Sequence, residues 1–146
     1  MFLGCITSNG VGCLIKCPQR CTSSDYIEVL EHASIQDSAS LNLMFMDDNA
    51  PIHRAAHVVA WKADMAVVSL NWPPQSPDLN PLENVWGIMK RRIRSFAKQP
   101  ETLIDLEQCV VNEWNAISCK LLKNLYNGMK KRVFSCIQAK GYSIRK

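Results

Sequence analysis

Apolar positions along this chain change their period several times, and each change marks an element. Over residues 2–16 apolar and polar positions alternate around the turn signal Ser8-Asn9-Gly10, which predicts a β-hairpin with strands over 2–7 and 11–16. Asp25, with Glu28 three residues on, predicts a cap for a helix over 26–33 that turns Tyr26, Val29 and Leu30 inward. The apolar run 41–46 ends in Asp47-Asp48-Asn49 and reads as a buried strand whose C-terminal end presents carboxylates. A helix is expected over 53–62 and a second short strand over 66–70.

Residues 71–81 hold Pro73, Pro74, Pro77 and Pro81 and predict a stiff loop, because each ring fixes its φ. A helix should begin directly after it. Asn80 suits the N-cap, Pro81 the first turn and Glu83 the third position, and Leu82, Val85, Trp86, Met89, Ile93 and Phe96 recur at spacings of three and four. The opposite face carries Glu83, Lys90, Arg91, Arg94 and Lys98. Two further amphipathic helices are expected over 101–117 and 119–139, the second stopped by Gly141. The order is ββαβαβ followed by helices, an α/β pattern, and 146 residues suffice for one core.

Charge adds to this picture because it is uneven. Residues 1–80 hold four basic and eight acidic side chains, and residues 81–146 thirteen and five, so the C-terminal part suits a polyanionic partner. No apolar run approaches the roughly 20 residues of a membrane-spanning helix, so no membrane role is expected. The opening stretch has no basic n-region and is broken by Ser8, Asn9, Gly10 and Gly12, which argues for an intracellular chain. Seven cysteines without the dense spacing of a disulfide scaffold are expected as thiols.

The candidate chemistry rests on Asp48, at a strand end, and Glu83, in the first turn of a helix. Strand ends are where α/β sheets place ligands, and paired carboxylates are hard oxygen donors for Mg²⁺ or Mn²⁺ in phosphoryl transfer. Each residue also has a plainer reading. Glu83 stands where a capping-box glutamate belongs, Asp47-Asp48-Asn49 can form a turn, and a basic helix face can be solvated surface. A zinc module from Cys13, Cys17 and Cys21 with His53 and His57 is chemically competent, but its spacings fit no compact finger. Trp86, Phe96, Trp114 and Phe134 fall on apolar helix faces and are expected in the core, while Trp61 and Trp72 are expected to pack the Pro-rich loop.

The segment Met46-Asp-Asp-Asn-Ala-Pro-Ile-His53, then Trp61, then Trp72-Pro-Pro-Gln-Ser-Pro-Asp-Leu-Asn-Pro-Leu-Glu-Asn-Val-Trp86, and finally Gly141-Tyr142 resemble the catalytic domain of Tc/mariner superfamily transposases. Leu3 to Thr7 and Asn9 to Gly12 resemble that family's second and third strands. The resemblance implies a ribonuclease H-like fold and an Asp, Asp, Glu metal triad that cuts and rejoins transposon ends. In the Tc-like branch the second Asp precedes an Asn and stands 34 residues before the Glu, which matches Asp48 and Glu83 rather than Asp47.

By that resemblance Asn49 and His53 support the site, Lys90, Arg91, Arg94 and Lys98 face the DNA backbone, the partners are DNA and further transposase copies, and the location is the nucleus. The family's first Asp and its N-terminal helix-turn-helix region have no counterpart here. The chain therefore reads as a partial catalytic domain of 1–146, with a hairpin part at 1–50, a Pro-rich loop at 71–81 and a basic helical part at 82–146. The expectations that follow are a chain catalytically incomplete on its own, a sheet lacking its first central strand and, as the alternative, a non-catalytic DNA-binding or transposase-interacting remnant.

Overall fold

The computed structural model describes residues 1–33, 35, 43–74 and 76–142. Strands β1 (Phe2–Thr7) and β2 (Gly10–Lys16) form the expected hairpin. Its register carries a bulge. Ser8 and Asn9 form a two-residue turn, whereas the base pairs Met1 with Cys17 through Cys17 N–H donating to Met1 O at 2.9 Å. One residue more is therefore accommodated on β2 than on β1. Gly12 lies there, and a Cβ on it would stand 2.2 Å from Cys5 Sγ, so the missing side chain makes room for that thiol. Cys5 Sγ in turn lies 3.6 Å from Cys13 Sγ, and all seven cysteines are free thiols.

The chain divides into two compact units that share the hairpin: Met1–Gly4 with Ile15–Ser76, and Cys5–Leu14 with Pro77–Lys146. Each has its own hydrophobic cluster, so the single core expected from length becomes two. In the first unit helices α1 (Ser23–His32) and α2 (Ala56–Asp64) pack Tyr26, Leu30 and Val58 together with Leu3, Phe45 and Trp61. The α1 cap is Thr22, with Asp25 as its capping-box partner, because the Thr22 hydroxyl reaches Asp25 N–H while the Asp25 carboxylate returns to Thr22 N–H.

The helix expected over 53–62 is interrupted. Pro51–Arg54 is a 3-10 turn, and α2 begins only after Ala55, whose ψ of 140° is extended. The two strands expected over 41–46 and 66–70 shrink to one parallel bridge between Phe45 and Ser69. Phe45 N–H donates to Val68 O and Leu70 N–H to Phe45 O, both at 2.8 Å. Residues 41 and 42 lie outside the described residues, and Leu43, Met44, Val68 and Leu70 are exposed, whereas Val67 is buried.

In the second unit α3 (Pro81–Arg94), α4 (Leu103–Asn115) and α5 (Cys119–Asn127) enclose Val85, Met89, Trp114, Ile117 and Leu122, with Ile6, Val11 and Leu14 of the hairpin against them. Trp114 joins the hairpin by Nε1–H donating to Gly12 O at 3.0 Å and stacks on Trp86 at 5.3 Å between ring centroids. Tyr126 donates its hydroxyl to Ile6 O at 3.0 Å.

The helix expected over 119–139 breaks at Gly128, giving α5 and α6 (Met129–Gln138). A Cβ at Gly128 would press on Asn124 O and Leu125 O at 3.3 and 3.4 Å, so the glycine allows the close turn between them. No α6 residue is buried, and Phe134, expected in the core, is exposed. Phe96, expected on the α3 face, lies beyond the helix end at Ser95.

Candidate functional site

Asp48 follows the Phe45 bridge within the first unit, and its side chain is 56% exposed. Its Oδ1 accepts from Ala50 N–H at 3.0 Å, so the plainer reading of Asp47-Asp48-Asn49 as a turn is realised as an Asx turn. Turn and ligand roles are compatible here, because the turn holds the carboxylate outward. Asn49 takes a φ of 60°, a left-handed conformation that asparagine tolerates, and its Nδ2 donates to Trp72 O at 2.6 Å. That bond ties the carboxylate-bearing segment to the start of the Pro-rich loop.

Asp47 and Asp48 meet opposite surroundings. The Asp47 side chain is 14% exposed and pairs through Oδ2 with Nζ of Lys62, itself 11% exposed, while the Tyr26 hydroxyl donates to the same oxygen at 3.4 Å. Burial, then the charges of Asp47 and Asp48, holds the Tyr26 phenol well above its ordinary pKa, so it stays protonated and donates. Neither Tyr26 nor Lys62 stands out in the sequence, since one is a core aromatic by pattern and the other an ordinary helix lysine. Asp47 is thus occupied, and Asp48 is the aspartate left accessible.

His53 is buried on the 3-10 turn and stacks on Tyr26 at 4.0 Å between ring centroids. Its Nδ1 lies 2.9 Å from Asp48 Oδ1, and its Nε2 has no partner among the described residues. Burial lowers its pKa, outweighing the opposing pull of Asp48, so the ring is neutral.

In the second unit, Glu83 lies at the third position of α3, exposed. The same position in α1 and α4 is taken by Asp25 and Asp105, and both are spent on capping boxes with Thr22 and Thr102. Glu83 is not. The Asn80 side chain caps α3 by accepting from Leu82 N–H at 3.0 Å, and Asn80 N–H, the donor that a capping-box acid would accept from, already goes to Pro77 O at 3.2 Å. The turn at the end of the Pro-rich loop thereby releases the Glu83 carboxylate from capping.

Lys90, Arg91 and Arg94 are exposed on α3, on the side of Glu83. Lys98 departs from expectation, because α3 ends before it and its ammonium lies 3.6 Å from Glu101. Arg92 serves structure, pairing with Glu113 of α4 at 3.2 Å. As to a divalent cation, Asp48 and Glu83 are hard oxygen donors and both are accessible, so their chemistry fits Mg²⁺ or Mn²⁺. Among the described residues no group of three His, Cys, Asp or Glu side chains is assembled.

Comparison with known proteins gives the family and the fold. The family model of the DDE superfamily endonucleases matches residues 1–106. Similar curated proteins include the Tcb1 transposase of Caenorhabditis briggsae, 31% identical over 97% of this chain and 52% of its own length, and the Tc1 transposase of Caenorhabditis elegans, 31% identical over 99% and 54%. The Tc3 transposase of Caenorhabditis elegans is 33% identical over 84% of this chain and 38% of its own length. The chain thus spans about half the length of the curated relatives it matches.

Among solved structures, the Mos1 transposase catalytic domain determined with raltegravir and Mn superposes with a TM-score of 0.85 at 17% identity, over 99% of this chain and 76% of that one. The Mos1 paired-end complex with the left transposon end gives 0.80 over 94% and 42%. The fold is therefore the ribonuclease H-like fold of these catalytic domains, as expected from the sequence. The chain belongs to the DDE superfamily endonucleases, and the curated proteins it is similar to are Tc-type transposases.

Proposed function

We propose that this chain is the part of a DNA transposase that supplies two metal-binding carboxylates, Asp48 and Glu83, and a basic DNA-facing helix surface. The observation that carries the reading is the fate of Glu83: alone among the three first-turn acids of α1, α3 and α4 it is left out of a capping box. Bound there, Mg²⁺ or Mn²⁺ would activate an attacking oxygen and neutralise charge at the scissile phosphate. Asp48 and Glu83 would hold the metal, Asn49 and His53 would steady Asp48, and Lys90, Arg91 and Arg94 would hold the DNA backbone by charge. On this reading the residues of this chain bind metal and DNA. This reading implies a second transposase copy and a nuclear location, and DNA as the partner, the last in keeping with the transposon-end complexes of Mos1.

The test is Mn²⁺ binding to the 146-residue chain, followed by water-proton relaxation. Asp48→Asn and Glu83→Gln should each weaken binding at least tenfold, and unchanged affinity in both variants would overturn the site. A second reading rests on the exposed basic residues of α3: sequence-independent DNA binding without metal. DNA affinity that falls steeply with salt yet ignores both EDTA and Asp48→Asn would favour it.

A further inference from the structure

Two adjacent carboxylates stand at the end of the Phe45 segment, and the fold presents only one of them. Lys62, reaching in from α2, sits in a box made by the Asp47 carboxylate, the Phe45 ring at 5.0 Å and the Tyr26 ring at 5.7 Å from its ammonium. The Tyr26 hydroxyl closes the box on Asp47 Oδ2. Carboxylate and ammonium are both largely out of water, where an ion pair loses much of its hydration and is held by its geometry and added hydrogen bonds. The two aromatic faces add cation–π attraction.

We infer that Lys62 is a positioning residue that selects which of the two adjacent aspartates is presented to the metal. This rests on the reading of Asp48 as a metal ligand. The two adjacent side chains differ in exposure, Asp47 at 14% and drawn inward by Lys62, Asp48 at 56% and turned toward solvent. In that orientation Asp48 closes its turn onto Ala50 N–H. Without the ammonium, Asp47 becomes a buried carboxylate with no cation, a state that strongly favours turning it out to water. That rotation carries Asp48 inward and breaks the Ala50 contact. Lys62 thus acts on Asp48 through Asp47 and touches no ligand itself.

The test is a cycle of Lys62→Met, Asp47→Asn and the double variant in the full chain, with two readouts. One is Mn²⁺ affinity by water-proton relaxation. The other is the Ala50 amide resonance in a ¹⁵N–¹H spectrum, which reports the Asp48 turn without metal. Lys62→Met should weaken Mn²⁺ binding at least tenfold and shift the Ala50 resonance. In the Asp47→Asn background, where no second carboxylate competes, the same change should alter affinity less than threefold and leave Ala50 in place.

An equal loss in both backgrounds, or no loss in either, overturns the inference. Should Lys62→Met fail to fold, Lys62→Gln, which keeps donors but no charge, replaces it and is judged by the same outcomes. If Asp48→Asn leaves Mn²⁺ affinity unchanged, the metal reading falls, and the Ala50 resonance alone decides for or against Lys62.

Discussion

Replacing Glu83 by glutamine distinguishes a carboxylate kept for a ligand from one spent on a helix end. The reference is α4, where Asp105 accepts from Thr102 N–H at 3.1 Å while Thr102 Oγ1 accepts from Asp105 N–H at 3.1 Å. Removing that cap with Thr102→Ala should cost about 1 kcal/mol. Asn80→Ala removes the α3 cap, whose residue is buried and whose side chain holds Leu82 N–H, and should cost about 1 to 2 kcal/mol. Glu83→Gln breaks no capping bond, so it forfeits only the attraction of an exposed charge for the helix N-terminus, no more than about 0.5 kcal/mol in physiological salt.

Urea unfolding followed by circular dichroism at 222 nm resolves these values. With a slope of roughly 1.5 kcal/mol per molar urea, Thr102→Ala lowers the midpoint by about 0.7 M and Glu83→Gln by about 0.3 M or less. The comparison requires equal slopes across the variants, because a changed slope would mean a change in the surface exposed on unfolding or a departure from two-state behaviour. A midpoint loss for Glu83→Gln as large as that for Thr102→Ala would make Glu83 a capping residue and remove the argument for its role at a metal.

Two further outcomes follow from the geometry. Gly12→Ala should cost about 1 to 3 kcal/mol by forcing Cys5 Sγ off its position, and adding Cys5→Ala should recover most of that loss; urea midpoints of the two singles and the double decide it, and strictly additive losses would refute the contact. His53 titrates below its ordinary value of 6.5 because it is buried, so the unfolded chain takes its proton first and stability should fall as pH drops from 7 through 6.5, levelling off only below the folded pKa. His53→Phe, which keeps a ring against Tyr26, should flatten the urea midpoint between pH 7 and 5.5, and an equal fall in both proteins would show that another group controls this range.

How much of this was legible in the sequence depends on how far each determinant reaches. Helix starts are decided within four residues, so Asn80 with Pro81 and the α4 periodicity were readable, as was the hairpin from its turn. The interruptions at Ala55 and Gly128 are not, because they depend on the backbone that the chain meets there: an extended Ala55 after a proline-led turn, and carbonyls that would crowd a Cβ at Gly128. The run 41–46 reads as buried from its apolar content, yet Leu43 and Met44 are exposed, because apolar content does not by itself supply covering partners.

The site divides along the same line. The choice of Asp48 over Asp47 came from spacing and resemblance, whereas its physical basis lies in Lys62, fifteen residues away on another element, where no local pattern could reveal it. Glu83 is the sharper case, since Asp25, Glu83 and Asp105 hold the same position in their helices and a spacing rule treats them alike. What separates them is the partner of one backbone N–H. Thr22 and Thr102 offer theirs to the acid, while Asn80 gives its own to Pro77 O, so the prolines that stiffen the loop also free the carboxylate that follows it. Asn80 is buried, so its N–H must find a partner, and because Pro77 O is that partner the Glu83 carboxylate stays free for a ligand outside the helix it begins.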